Sequence, residues 1–424
     1  MFVSQLTENY QKIIEYLESL SVMPKTMPGL DKIQKAIAEK KWFSTLDPQK
    51  TITVAGTNGK GTTCAVLESL LMSAGKKVGL YTSPHLVKTT ERIRINQVDI
   101  SEEAFVQVFE RNKNLIEKYE LTHFESLTLM AADYFYSQDL DYVIWEVGLG
   151  GTFDATNVFP NHYAVITQLG LDHTNILGNT LLDVASNKLG IVKKNSIVVH
   201  QPLPQEVQPL QHRTQQSTQS RWFESLPALF EIKKTSEESL WIMQTPWGPA
   251  SINLLGRRAV ENAMTALTLF EKMGFTPQKH LGALNQIRWP GRMQKINWPL
   301  HRNPHLRCPI YLSGDHNPQG IASLLEILQQ LQWQTLHIIV GIGQDKDYAE
   351  MFSQLLTLPR AKLYLTETPF KGRKISEYPE SIKAISAAQN ADIGGILDTL
   401  VADSHDLVLV TGSLYLVGKA LSSL

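Results

Sequence analysis

Cysteine is nearly absent: Cys64 and Cys308 are the two in 424 residues, far apart and outside any CxxC or Cys/His cluster. That excludes a disulfide framework and a thiolate zinc site and suits a reducing cytoplasm. An excess of either charge is missing too. Lys+Arg 40 against Asp+Glu 41 leaves a net charge of -1, without the basic surface of a dedicated nucleic-acid binder. Long apolar runs are also lacking. The most apolar stretch, LVLVTGSLYLVGKALSSL, is broken by glycines and Lys419 and reads as strand, turn and helix rather than a membrane span. The segment MFVSQLTENYQKIIEYLESL carries acidic and amide residues where a signal peptide has an apolar centre, so an amphipathic helix is expected. No fixed-period repeat occurs, which removes solenoids. These absences predict a cytoplasmic protein with neither nucleic acid nor membrane as partner.

What is present is an ordinary globular composition, 43% hydrophobic and 19% charged, in a chain longer than one core usually organises. From Thr51, short β-branched runs alternate with helical stretches: TITVA, a helix to about Gly75, KKVGLY, a helix from Ser101, then DYVIWEV. That order predicts an α/β fold with a mostly parallel sheet and crossover helices. A second series follows the Pro290-Gly291 break: PIYLSG, a helix from Pro318, TLHIIVGIG, a helix around Tyr348, AKLYLTE and DLVLVTG. It predicts a smaller, Rossmann-like α/β domain. We therefore expect two domains, residues 1–294 and 295–424, with a low-information glutamine-rich helix or loop at 201–220.

The strongest local signal is TITVAGTNGKGTT: a strand, a glycine turn containing Lys60, then a helix from about Gly61. Gly56, Gly59 and Gly61 let backbone N–H groups of the loop, including Thr57 and Asn58, converge on phosphate oxygens, and the helix start adds partial positive charge. Lys60 supplies a cation, and Thr62 or Thr63 a hydroxyl for Mg²⁺ or phosphate. Gly61 separates the lysine from Thr62, whereas a common P-loop places Ser/Thr directly after it. Glu146, closing a strand before the glycine-rich turn VGLGGT, aims a carboxylate at the same end of a parallel sheet.

With that extra glycine, GTNGKGT resembles the ATP loop of the Mur ligase superfamily, in its folate branch, and the likeness extends over nearly the whole chain. YTSPHLVKTTERIRINQVDIS matches the family's segment with a metal-binding serine, here Ser83. DYVIWEVGLGGTFDATN supplies the Mg²⁺ glutamate, Glu146, with Thr152 where relatives commonly have arginine. AVITQLGLDHTNILG puts His173 at the second-metal histidine. SNKLGIVKK puts Lys188 at the family's carbamylated lysine, with Asn187 replacing a usual glutamate. LLGRRAVENAMTALTLF has Asn262 at the nucleotide-contacting asparagine, although Arg258-Ala259 stand for a usual His-Gln. WPGRMQKI brings Arg292 to an arginine that contacts ATP phosphates. In YLSGDHNPQG the family's aspartate position holds Ser313, while an acid appears at Asp315 beside His316. GIGQDKDY and VTGSLYLVG complete the match.

The resemblance implies a ligase that uses ATP and two Mg²⁺ ions to join L-glutamate to dihydropteroate or a reduced folate through an acyl phosphate, acting as a monomer. The pterin would lie against Gly29, Leu30 and Asp31, against Thr122, His123, Phe124 and Glu125, and against Phe153, Asp154 and Ala155, with Phe124 and Phe153 able to stack on its ring. A muramyl-peptide ligase would resemble this chain only after a nucleotide-sugar domain, and about 50 residues precede the loop. A guanine-nucleotide switch would need Asn-Lys-x-Asp, but the Asn-Lys pairs at Asn112 and Asn187 lead to Leu115 and Gly190. An inactive ATP-binding homologue would not retain Lys60, Glu146, His173 and Lys188 together. Because a P-loop lysine serves phosphate charge rather than packing, Lys60→Ala should abolish ATP-dependent ligation while leaving the circular dichroism spectrum unchanged. Near-wild-type turnover in that folded variant would end the phosphate-loop assignment.

Overall fold

The computed structural model describes residues 2–21, 29–227, 229–234 and 239–424. Two compact units emerge: Met1–His85, Thr89–Asn253 and Ala259–Arg288 form the first, and Leu86–Lys88, Leu254–Arg258 and Trp289–Leu424 the second.

The first unit is built on an eight-stranded sheet of β1 (Thr51–Ala55), β2 (Val78–Tyr81), β3 (Ile93–Ile95), β4 (Val98–Asp99), β5 (Tyr142–Glu146), β6 (Tyr163–Ile166), β7 (Ile197–His200) and β8 (Arg221–Glu224). Their order is β4-β3-β2-β5-β1-β6-β7-β8. β1 lies parallel between β5 and β6, and every residue of β1, β6 and β7 is buried. Continuous apolar strands of this kind belong to a sheet covered on both faces. The chain leaves β1 for β2 on one side and crosses from β5 to β6 on the other. The C-terminal end of β1 is therefore a topological switch point, where parallel α/β sheets hold their ligands.

At one edge, β2 and β3 run antiparallel and β3 turns into β4. Asn96 and Gln97 occupy that two-residue turn at φ 49° and 63°, the left-handed pair a tight hairpin requires. The parallel-sheet pattern did not signal this hairpin.

The helix Lys60–Ser73 is buried continuously from Gly61 to Leu71, so it has no solvent stripe. Within it Glu68 is fully buried, ion-paired with Arg94 of β3, and accepts Gln97 N–H at 2.9 Å. Burial raises the Glu68 pKa against the opposing pull of Arg94.

Helices Phe2–Ser19, Asp31–Ala38, Glu102–Lys118 and His123–Tyr136 contribute to one core with Tyr81, Trp145 and Phe159. A separate three-stranded antiparallel sheet contains β9 (Leu229–Lys234), β10 (Ser239–Thr245) and β11 (Gly248–Ile252).

The second unit carries β12 (Arg292–Ile296), β13 (Ile310–Ser313), β14 (Leu336–Val340), β15 (Ala361–Leu365), β16 (Ser386–Gln389) and β17 (Leu407–Thr411), in the order β12-β13-β17-β14-β15-β16. All pairings are parallel except β12 with β13. β14 and β17 are buried throughout, with apolar clusters built on Leu324, Phe352 and Leu409 and on Leu397, Val410 and Leu416. No described helix is long and apolar enough to cross a membrane.

The helical layer of the first unit is tied together at Asp133. Its carboxylate accepts Trp42 Nε1–H at 3.1 Å, Arg111 Nε–H at 2.9 Å and Asn112 Nδ2–H at 3.2 Å, with Lys40 Nζ 3.2 Å away. Burial alone would raise its pKa, but the Trp42 hydrogen bond and the Lys40 and Arg111 charges outweigh it and hold the group below the usual range. Asp133→Ala should cost about 3 kcal/mol in urea unfolding at pH 7. Because the folded pKa is depressed, this contribution is present above the unfolded value of about 3.9 and disappears as pH falls through the folded value. A variant matching wild type at pH 7 would contradict this role.

Candidate active site

At the end of β1 the loop Gly56–Gly59 enters the helix Lys60–Ser73. Gly59 caps that helix at φ 90°, a conformation that favours glycine. With no side-chain cap, the first-turn N–H groups of Lys60, Gly61 and Thr62 are left to an anion. Gly56 is required by proximity, since a Cβ there would overlap Thr167 Oγ1. The loop is fastened to the segment after β6: Thr57 N–H donates to Gln168 O at 2.8 Å, Thr57 Oγ1 to Gly170 O at 2.8 Å, and Thr167 Oγ1 to Asn58 O at 2.7 Å. Thr167 was not legible in the sequence, because its significance depends on where β6 pairs with β1.

Two amines meet inside this loop. Lys60 Nζ donates to Gly56 O at 3.1 Å and Thr57 O at 3.4 Å, while Lys188 Nζ donates to the same Gly56 O at 2.7 Å. Burial, reinforced by the Lys60 charge, lowers the Lys188 pKa to about 7, so the neutral amine is accessible near physiological pH.

Lys188 ends the helix Leu181–Leu189, which the glycine-rich turn after β5 holds in position. Gly151 lies so close that a Cβ would come 2.6 Å from Asn187 O and 3.0 Å from Lys188 Cα. Thr152 donates N–H and Oγ1–H to Asn187 O at 2.8 and 3.0 Å. Asp154 holds the turn itself: its buried carboxylate accepts Leu149 N–H at 2.9 Å, Thr156 N–H at 3.0 Å and Thr156 Oγ1–H at 2.6 Å. Burial raises the Asp154 pKa against those donors.

Glu146, buried at the end of β5, accepts Ser83 N–H at 3.2 Å just beyond β2. Among the described residues no three His, Cys, Asp or Glu side chains gather as a ready-made metal cage. A buried carboxylate beside a serine fits Mg²⁺, which takes few protein oxygens and completes its shell with water and phosphate. His173 adopts φ 50° before the short helix Thr174–Leu177, its Nε2 4.0 Å from Asp172 Oδ2.

Asn262, on the helix Arg257–Lys272, is buried against the loop, where its amide fills the space a Gly59 Cβ would take. Phe124 packs on Gly148 and near Tyr81, at 5.8 Å between ring centroids, and Phe153 is exposed. Thr122 and Glu125 form a reciprocal cap on the helix His123–Tyr136, and His123 Nδ1 lies 2.9 Å from Leu17 O. Ala155 is buried, and Gly29 and Leu30 lead into the helix Asp31–Ala38.

In the second unit Arg292 pairs with Ser313 across β12 and β13. Ser313 Oγ–H donates to Asp315 at 2.5 Å, and His316 Nδ1 lies 2.8 Å from Gly314 O. All four thus occupy the C-terminal end of β13.

Residues 54–270 match the Mur ligase middle domain family, so the fold and its phosphate loop define a Mur-type ligase. The chain belongs to the dihydrofolate synthase/folylpolyglutamate synthase family. It is 32% identical over 437 residues to the Haemophilus influenzae dihydrofolate synthase/folylpolyglutamate synthase, covering 96% of this chain and 95% of that one. It is also similar to a crystal structure of a bifunctional folylpolyglutamate synthase/dihydrofolate synthase with Mn, AMPPNP and L-glutamate bound, with TM-score 0.80, 28% identity and coverage of 98% and 97%. An FPGS–AMPPCP–folate complex aligns with TM-score 0.79, 28% identity and coverage of 98% and 99%.

The buried amine makes a test of energetics. The folded Lys188 pKa lies below the unfolded value of about 10.4, so between about pH 7 and 10 the folded protein binds fewer protons and its stability rises with pH. Lys188→Met, which removes the burial penalty, should be more stable than the unmodified wild type by about 2 kcal/mol at pH 7. That advantage should shrink towards pH 10 in urea unfolding; a pH-independent difference would argue against the depressed pKa.

Proposed function

We propose that this chain uses ATP to add L-glutamate to dihydropteroate, to the glutamate tail of reduced folates, or to both, releasing ADP and phosphate. The observation that carries this is the meeting of Lys60 and Lys188 on Gly56 O in a member of a family whose relatives bind AMPPNP, L-glutamate and folate. In this reading residues 1–294 supply the ATP-binding ligase domain and residues 295–424 the second domain, in a monomer.

A carboxylate is a weak electrophile with a poor leaving group. Transfer of the ATP γ-phosphoryl group to one carboxylate oxygen forms an acyl phosphate; the glutamate amine then attacks the carbonyl carbon, phosphate departs with the C–O bond electrons, and the amine loses a proton. The protein's work is alignment and charge neutralisation. The loop Gly56–Thr62 donates N–H groups to the phosphates, and Lys60 exchanges its carbonyl acceptors for phosphate oxygens. Asn262, Arg292, Ser313, Asp315 and His316 add nucleotide contacts. The pterin rests on Gly29–Asp31, Thr122–Glu125 and Phe153–Ala155, with Phe124 and Phe153 offering ring faces.

When bound, Mg²⁺ supplies charge neutralisation of the triphosphate. Ser83 and Glu146 would hold one ion, and His173 with carbamylated Lys188 a second. Carbamylation joins the neutral lysine nitrogen to the carbon of CO₂ with loss of a proton, and a pKa near 7 favours the neutral amine it needs.

The deciding experiment incubates the protein with ATP, Mg²⁺ and L-glutamate, plus either dihydropteroate or tetrahydrofolate, and follows ADP and the folate product by mass spectrometry. Glutamate-dependent ADP release with a product heavier by one glutamyl residue is expected for at least one acceptor. ATP turnover indifferent to glutamate, or AMP in place of ADP, would overturn the assignment.

A further inference from the structure

Behind Asn262, beside the phosphate loop, lies a buried polar pair, Gln201 and Thr265, that no step above uses. Gln201 follows β7 directly, its N–H donating to Ile166 O at 2.9 Å. Its side-chain Nε2 donates to Asn262 Oδ1 at 2.9 Å and to Thr265 Oγ1 at 3.2 Å. Gln201 and Asn262 are 6% and 5% exposed, and Thr265 is fully buried.

The donor and acceptor roles in this pair are fixed from one end. Thr265 Oγ1 donates to the backbone carbonyl of Glu261 at 2.8 Å, with Ser225 Oγ farther off at 3.3 Å. A carbonyl can only accept, so the single hydroxyl hydrogen is spent there and the Thr265 oxygen must accept from Gln201. That turns the Gln201 NH₂ group, rather than its carbonyl, towards both neighbours. Asn262 must then meet it with Oδ1. Its Nδ2 is a donor with no protein acceptor among the described residues, and both ends of the amide lie against Gly59, where a Cβ would overlap Oδ1 and come 2.8 Å from Nδ2. An amide can otherwise rotate by half a turn and present the opposite polarity at little steric cost.

Resting on the proposed nucleotide contact of Asn262, we propose that Gln201 is a positioning residue: with Thr265 it locks the Asn262 amide so that the bound nucleotide always meets a hydrogen-bond donor. The ligand group it selects is an acceptor, a ring nitrogen or oxygen of the nucleotide. Gln201 does not touch the nucleotide; it removes the wrong amide rotamer, which would set an oxygen against that acceptor.

The test uses the full chain with ATP, Mg²⁺, L-glutamate and the folate acceptor. Gln201→Met keeps the volume but frees the Asn262 amide, and should raise KM for ATP about 10-fold while kcat stays within about twofold, the size of one neutral hydrogen bond. Thr265→Val should raise it about threefold, and Thr265→Ser, which keeps the hydroxyl, should match wild type. In the Asn262→Ala background, Gln201→Met should add nothing further. Calorimetric affinity for AMPPNP, measured on the folded fraction, should follow KM. An unchanged KM with reduced kcat in Gln201→Met, or losses that add in the double variant, would show a merely structural role and overturn the proposal. If Gln201→Met does not fold, wild-type affinity in Thr265→Val overturns it equally. Unchanged KM in Asn262→Ala would instead remove the nucleotide contact itself, and the proposal with it.

Discussion

The carbonyl oxygen of Gly56 is where the structure of this ligase concentrates its electrostatics. One acceptor at the end of β1 receives the Lys60 and Lys188 amines, and two ammonium groups cannot share so small a buried site without cost. Burial above all, and the Lys60 charge after it, lowers the Lys188 pKa to about 7, while Lys60 is held by the carbonyls of Gly56 and Thr57. Much of the surrounding architecture keeps these amines close. Gly56 allows β6 to approach through Thr167, and Gly151 allows the helix bearing Lys188 to approach the turn after β5.

Thr152 closes on Asn187 O, which anchors the helix end that carries Lys188. Asn187 donates to Asp183 O and Leu177 O at 3.1 and 3.4 Å, bracing the helix. In the second unit the Asp315 carboxylate accepts the Ser313 hydroxyl.

The residues proposed to hold the pterin divide along different physical lines. Phe153 is exposed, and the Phe124 ring lies against Gly148. Asp154 and Glu125, by contrast, already spend their carboxylate oxygens on the turn after β5 and on the cap of the helix His123–Tyr136. Side chains committed in this way shape a binding surface through the backbone they fix.

The sequence by itself determined the alternation of strands and helices, the phosphate loop and the family, because these depend on local periodicity, on glycine conformation and on motifs contiguous in the chain. It also singled out Lys60 and Glu146 by their place at strand ends beside glycine turns, and Lys188 and Asn262 through the family resemblance alone. Tertiary structure decided what those residues meet. The hairpin at Asn96-Gln97 depended on edge pairing, and Thr167 gained its importance only when β6 was laid beside β1. The Gln201–Thr265 pair joins residues 64 apart, and the two lysines on Gly56 O lie 128 positions apart, from 188 − 60. Such contacts arise from packing between elements, and their hydrogen-bond polarity is set by backbone carbonyls that no side-chain motif records.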